Sequence, residues 1–177
     1  MLKATIQWDN DPNAISYFIQ YRIVGSNYWI TPNENNPTIN NFYVVENIPY
    51  GALYEFKIIA ETCETSCETI LEVAAPCLIT SNLIANPSGM GSMKLTWDTK
   101  PWAVSYAVKY KKSADATFIT APGSPTTGTT LTITGLDDGV SYDFMVQVNC
   151  QSGTSTGVQT TQPTACPDVT GLVATNV

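Results

Sequence analysis

The feature that most limits what this chain can become is that it repeats itself. Ala14-Ile15-Ser16-Tyr17-Phe18-Ile19-Gln20-Tyr21 matches Ala103-Val104-Ser105-Tyr106-Ala107-Val108-Lys109-Tyr110 at an offset of 89, and Trp8-Asp9 matches Trp97-Asp98 at the same offset. Ile48 to Phe56 matches Leu136 to Phe144 at an offset of 88, and Cys77 and Cys166 are again 89 apart. Two copies of one module therefore account for nearly all of the 177 residues. A fold for this chain has to close a core within each copy.

Each copy alternates apolar and polar residues in short runs. In the second, Met93 to Trp97, Tyr106 to Tyr110, Leu131 to Thr134 and Tyr142 to Val148 follow the period of a half-buried strand. Turn-forming stretches separate them: Ser88-Gly89, Asp115-Ala116, Pro122-Gly123-Ser124-Pro125 and Asp137-Asp138-Gly139. Only 13% of the residues are charged, too few to coat solvent-facing helices, while β-branched residues and tyrosine are plentiful. The expected class is all-β, with short strands at regular spacing forming sandwiches.

These residues resemble the fibronectin type III module. That family has a Trp at the end of strand B, a Tyr in strand C, and a Leu-x-Pro-Gly-x-x-Tyr-type motif leading into strand F. Trp8 and Trp97 fit the first position, Tyr21 and Tyr110 the second, and Ile48 to Tyr54 and Leu136 to Tyr142 the third. The resemblance implies two tandem fibronectin type III/immunoglobulin-like β-sandwiches, with a tyrosine corner at each E–F turn. It divides the chain into a domain over 1–76 that lacks its first strand, a complete domain over 77–165, and a tail over 166–177.

The tail looks like the opening strand of a further module. Leu172 stands six residues after Cys166 as Leu83 stands six after Cys77, and Ala174 corresponds to Ala85. From Cys77 to Trp97 is 20 positions; Cys166 through Val177 joined to Met1 through Trp8 makes 19. The expectation is head-to-tail strand donation. Val169, Leu172, Val173, Ala174 and Val177 of one copy would add to the edge formed by Leu2, Ala4 and Ile6 of the next. Three alternatives compete: a fragment of a longer array, a tail that orders against nothing, and a first domain that tolerates the missing strand.

The resemblance also bears on the five cysteines. Cys63 and Cys150 lie at the ends of their F strands, and Cys77 and Cys166 just past the G strands. Related cysteine-bearing modules of secreted bacterial proteins imply bridges from the F end to the following linker, as in a Cys63–Cys77 pair. Cys67 would then be left over, or would itself pair with Cys63 across the hairpin. Full reduction of all five is the cytosolic alternative.

Chemistry is otherwise scarce. There is no His, which removes the commonest general base and zinc ligand, and Cys63-x3-Cys67 has no second compact pair. Asp9-Asn10-Asp11 starts like a calcium loop, but Ala14 and Gln20 stand where Gly and Glu are needed. Glu61, Glu64, Glu68 and Glu72 read as a solvated acidic edge, and Lys109, Lys111 and Lys112 as charges that blunt a sheet edge. The formal charge of −7 argues against nucleic acid, and no apolar run approaches a membrane span. The start of the chain shows no basic-then-apolar signal sequence.

The expectation is thus a non-enzymatic structural protein without cofactor. Its partners would be copies of itself and other virion or surface proteins, with no nucleic acid and no membrane. A bacteriophage virion component made in the host cytoplasm (a capsid decoration, tail ring or fibre) is the first reading. A fragment of a secreted bacterial adhesin, or an accessory domain pair of an extracellular polysaccharide-degrading enzyme, is the second. A carbohydrate-binding module would rest on Trp102 and Tyr50 as exposed aromatics.

Overall fold

A computed structural model of the chain describes residues 2–32, 36–63 and 65–166. Every regular element among them is a β-strand. The chain divides into two compact units. The first gathers the residues up to 78 with 101–103 and 150–154; the second gathers 79–100, 104–149 and those from 155 on.

In the first unit, β1 (Leu2–Gln7) pairs antiparallel with β3 (Phe42–Ile48), and β2 (Ser16–Ile23), β4 (Leu53–Glu61) and β5 (Ser66–Ala74) form a second sheet in the order β2-β4-β5. The alternation read from sequence sets which side chains meet. Ile6 from β1 and Tyr43 and Val45 from β3 are buried with Tyr17 and Ile19 from β2 and Tyr54, Phe56 and Ile58 from β4. Period-two patterning allows each sheet to bury one face and leave the other to water.

In the second unit, β6 (Ile84–Gly89), β7 (Ser92–Thr96) and β10 (Thr130–Thr134) form one sheet in the order β10-β7-β6. The other is built on β8 (Ala103–Lys112), β9 (Ile119–Thr120), β11 (Ser141–Cys150) and the short β12 (Gly153–Thr154). Its order is β12-β11-β8-β9, with β13 (Val158–Pro163) also paired to β11. Met93, Leu95, Val108, Ile133, Phe144, Val146 and Val148 are fully enclosed in its core.

The motif aromatics serve the core. Trp8 meets Tyr17 edge-on with ring centroids 5.2 Å apart, and Trp97 lies 5.6 Å from Tyr106. Tyr17 and Tyr106 are the buried strand tyrosines; Tyr21 and Tyr110, four residues on, are half-buried, and Tyr21 stacks on Phe56 at 5.9 Å. The tyrosine corners differ between the copies. The Tyr54 hydroxyl donates to the Pro49 carbonyl at 3.3 Å, whereas the Tyr142 hydroxyl accepts from the Asp137 N–H at 3.1 Å. The cause is local: Pro49 has no N–H to give, so its phenol can only donate.

β9 pairs with β8 at Lys109 and Tyr110, so the strand edge at Lys109 is covered, contrary to expectation. Lys111 reaches Asp143 at 3.2 Å and Lys112 reaches Asp137 at 2.5 Å.

The disulfide corrects the pairing expected from sequence. The bridge is Cys77–Cys150, with Cα atoms 5.8 Å apart, and Cys63, Cys67 and Cys166 are free and exposed. The reason is topological. Cys63 precedes β5 and Cys77 follows it, and a nine-residue strand carries the chain about 30 Å. A bridge needs Cα atoms within about 7 Å. The end of an F strand and the start of the opening strand of the same module meet at one pole, and there Cys77 finds Cys150.

Candidate interaction site

One edge of β1 pairs with β3, in a register running from Leu2↔Ile48 through Ile6↔Tyr43 with an irregularity between Leu2 and Ala4. The Trp8 N–H donates to the Asn41 carbonyl at 3.0 Å. Backbone groups alternate in direction along a strand, so past the irregularity Thr5, Gln7 and then Asp9 turn theirs to the opposite edge. Among the described residues no strand pairs with that edge. The sequence leads one to expect an acceptor edge at Leu2, Ala4 and Ile6. Those three side chains face inward, while the free main-chain groups belong to the odd-numbered residues between and after them.

The second unit has the matching position filled. β6 pairs with β7 through Ile84↔Thr96, Ala85↔Leu95 and Asn86↔Lys94. The Asp98 N–H donates to the Ser81 carbonyl at 3.0 Å, and the buried Thr80 hydroxyl donates to the Asp98 carbonyl at 2.6 Å. The Asp98 carboxylate accepts from the Ser81 hydroxyl and the Asn82 amide, both at 2.8 Å. Asp9 is the repeat equivalent of Asp98, and it is exposed.

The side-chain contrast is sharper. In the first unit a cleft of about 480 Å³ opens between the sheets, lined by Ile6 and Trp8 on one side and Tyr17, Ile58, Ala60, Cys67, Thr69 and Leu71 on the other. Leu71 lies opposite Phe56 in the β4–β5 register and on the core side of β5, yet is 46% exposed. Cys67 and Thr69 on the same side are exposed as well. The counterparts of Thr69 and Leu71 along β13, Val158 and Thr160, are half-buried, and β13 lies against β6. Trp97 is buried to 5% exposure; Trp8 is only half-buried. Among the described residues, no strand of the first unit takes the position that β6 holds in the second. The donor residues Val169, Leu172, Val173, Ala174 and Val177 lie outside the described residues.

Sequence reasoning missed an apolar strip on the outer face of the first unit. Ile39, Phe42 and Val44 are exposed there; the equivalents of Phe42 and Val44 in the second copy are Thr130 and Thr132. A comparison of the two copies position by position was the signal that could have found it.

Other candidate chemistry disperses. Glu61 accepts from the Ser16 hydroxyl at 3.1 Å and Glu68 lies 3.5 Å from Lys57. Among the described residues no three His, Cys, Asp or Glu side chains group as a metal site. Hydrogen bonds from Ser113 and Thr161 hold the Asp143 carboxyl below its ordinary value, and the hydrogen bond to Asp137 raises Lys112. Burial, and then the neighbouring Tyr21, push the Tyr54 phenol up. Each shift has a structural cause in a corner or a cross-strand pair. Of the aromatics proposed for sugar binding, Trp102 is 46% exposed and Tyr50 half-buried. Trp29 has Arg22 and Lys57 each 4.4 Å from its ring centroid.

The class follows from the strand order and the paired Trp, Tyr and corner motifs: this is a tandem pair of β-sandwiches with the fibronectin type III fold. A two-domain fibronectin type III segment of chicken tenascin is similar over 92% of both chains, with a TM-score of 0.70 at 15% identity. Chicken CNTN1 domains FN1–FN3 overlap with 92% of this chain and 62% of their own (TM-score 0.44, 16% identity). A fibronectin type III domain of human collagen alpha-1(XX) covers 52% of this chain and 89% of its own length (TM-score 0.42, 24% identity). No protein-family profile and no curated protein matches the chain.

Proposed function

We propose that the protein is a non-catalytic structural subunit that binds copies of itself head to tail. Residues 169–177 of one copy add as a strand to the free edge of β1 in the next. The observation that carries this reading is the difference between the two units: β6 covers the β7 edge and lies against β13, while among the described residues nothing pairs with the far edge of β1, and Cys67, Thr69 and Leu71 on the inner face of β5 are exposed. The tail's likeness to residues 77–88 supplies the matching occupant. By that correspondence Thr170 takes the place of Ser81, its carbonyl accepting from the Asp9 N–H, and Leu172, Val173 and Ala174 follow in the places of Leu83, Ile84 and Ala85. A contact of this kind is heterologous, and it builds a ring if the rotation closes and a filament if it does not. Rings and fibres are forms that virion tails and decorations take, so the setting proposed is a bacteriophage virion.

Native mass spectrometry of the full chain and of a chain ending at Ala165, both under reducing conditions, tests the reading. The full chain is expected to form oligomers that the shortened chain does not; two monomers at high concentration would end it.

One observation favours a second reading. The Cys77–Cys150 bridge suits an oxidising compartment, as for part of an exported adhesin or an accessory pair of an extracellular polysaccharide-degrading enzyme. There the β1 edge would be covered by a segment preceding these residues in a longer chain. Monomers in both arms of the mass measurement are its expected result.

A further inference from the structure

The two glycines of the E–F turns hold the chain in the same way. The Gly51 N–H donates to the Pro76 carbonyl at 2.9 Å, and the Gly139 N–H donates to the Ala165 carbonyl at 3.1 Å. Each carbonyl belongs to the residue immediately before a cysteine, Cys77 in one case and Cys166 in the other. A side chain built on Gly51 would meet the bridged Cys150 sulfur at 2.9 Å, and one built on Gly139 would meet the Cys166 sulfur at 3.5 Å. Both glycines have positive φ, 75° and 68°, which any other residue adopts only with strain. Cys166 is therefore presented against its turn much as the Cys77–Cys150 bridge is, but with a free thiol.

Resting on the strand-donation reading, we propose that Cys166 of one copy forms a disulfide with Cys63 of the next, locking the donated strand in place. Cys77 pairs with the residue at the end of β11, eight positions after the corner Tyr142. Cys63 stands nine after the corner Tyr54, just beyond the end of β4. The donated tail would start at the pole where β4 ends, by the same topology that brings Cys77 to Cys150.

Cys67 is the other free thiol of this hairpin and does not fit the role. It pairs with Ala60 inside the β4–β5 ladder, and its counterpart in the second unit is Ser155. There the Ser155 N–H donates to the Val148 carbonyl at 2.8 Å, and the Ser155 hydroxyl accepts from the Val148 N–H at 2.9 Å. That counterpart stands between β12 and β13 and takes no part in the bridge. The chemistry balances with glutathione disulfide as oxidant: the Cys63 and Cys166 thiols join through a new S–S bond, and their two hydrogens pass to glutathione as two thiols.

The test is a non-reducing denaturing gel of the full chain after incubation with glutathione disulfide. The expected result is a ladder of covalent multimers that dithiothreitol collapses. Cys63→Ser and Cys166→Ser each abolish the ladder, Cys67→Ser keeps it, and a mixture of the first two variants gives a covalent dimer and nothing larger. A ladder that survives Cys63→Ser overturns the assignment. Native mass under reducing conditions separates the two ideas. Oligomers there without any covalent ladder sink the bridge alone, and monomers there sink strand donation and the bridge with it.

Discussion

At the scale of single residues, the two tyrosine corners are one device adapted to two partners. Both phenols reach the backbone five positions back, and the direction of the hydrogen bond reverses because Pro49 stands where Asp137 stands in the other copy. Each bond contributes about 1 kcal/mol net. Tyr54→Phe and Tyr142→Phe are each expected to lower stability by about that amount in urea unfolding, with the slope unchanged because the buried surface hardly alters. The spacing of Leu136 to Tyr142 and Ile48 to Tyr54 made the corner legible in sequence. The identity of the buried strand tyrosine was less so: Tyr17 and Tyr106 share the motif with Tyr21 and Tyr110, and only the sheet twist and packing put the first pair fully inside.

At the scale of elements, β5 is the anomaly. Its core side carries Cys67, Thr69, Leu71 and Val73, a mixed but usable inner face, and only Val73 is partly covered. Leu71, 46% exposed on an inner face, forgoes about 1 kcal/mol of burial, which an added strand would recover. Leu71→Asp is expected to leave the thermal unfolding of the reduced monomer within about 1 kcal/mol of the parent, because the side chain is already half in water. It is expected to abolish the oligomers seen by native mass, because a carboxylate would be buried without a partner under the donated strand. The alternation that forms β5 can be read from sequence. Its exposure cannot, because periodicity says which side chains share a face and nothing about whether another element lies over it.

At the scale of the whole chain, Cys77–Cys150 is the one covalent cross-link among the described residues, and its partners are 73 positions apart. In the chain-entropy account a loop of that length is worth about 4 kcal/mol. The double variant Cys77→Ser/Cys150→Ser is expected to unfold at lower urea by about that free energy, and adding reductant to the parent should reproduce the shift. The sequence by itself determined the repeat, the all-β class, the sandwich and its corners, since alternation and turn residues act locally and each copy states them twice. Which cysteines pair and which inner face is wet were decided only by tertiary structure. Those properties depend on which strand ends share a pole and which element lies over which, distances that close across dozens of residues and leave no mark on the local pattern.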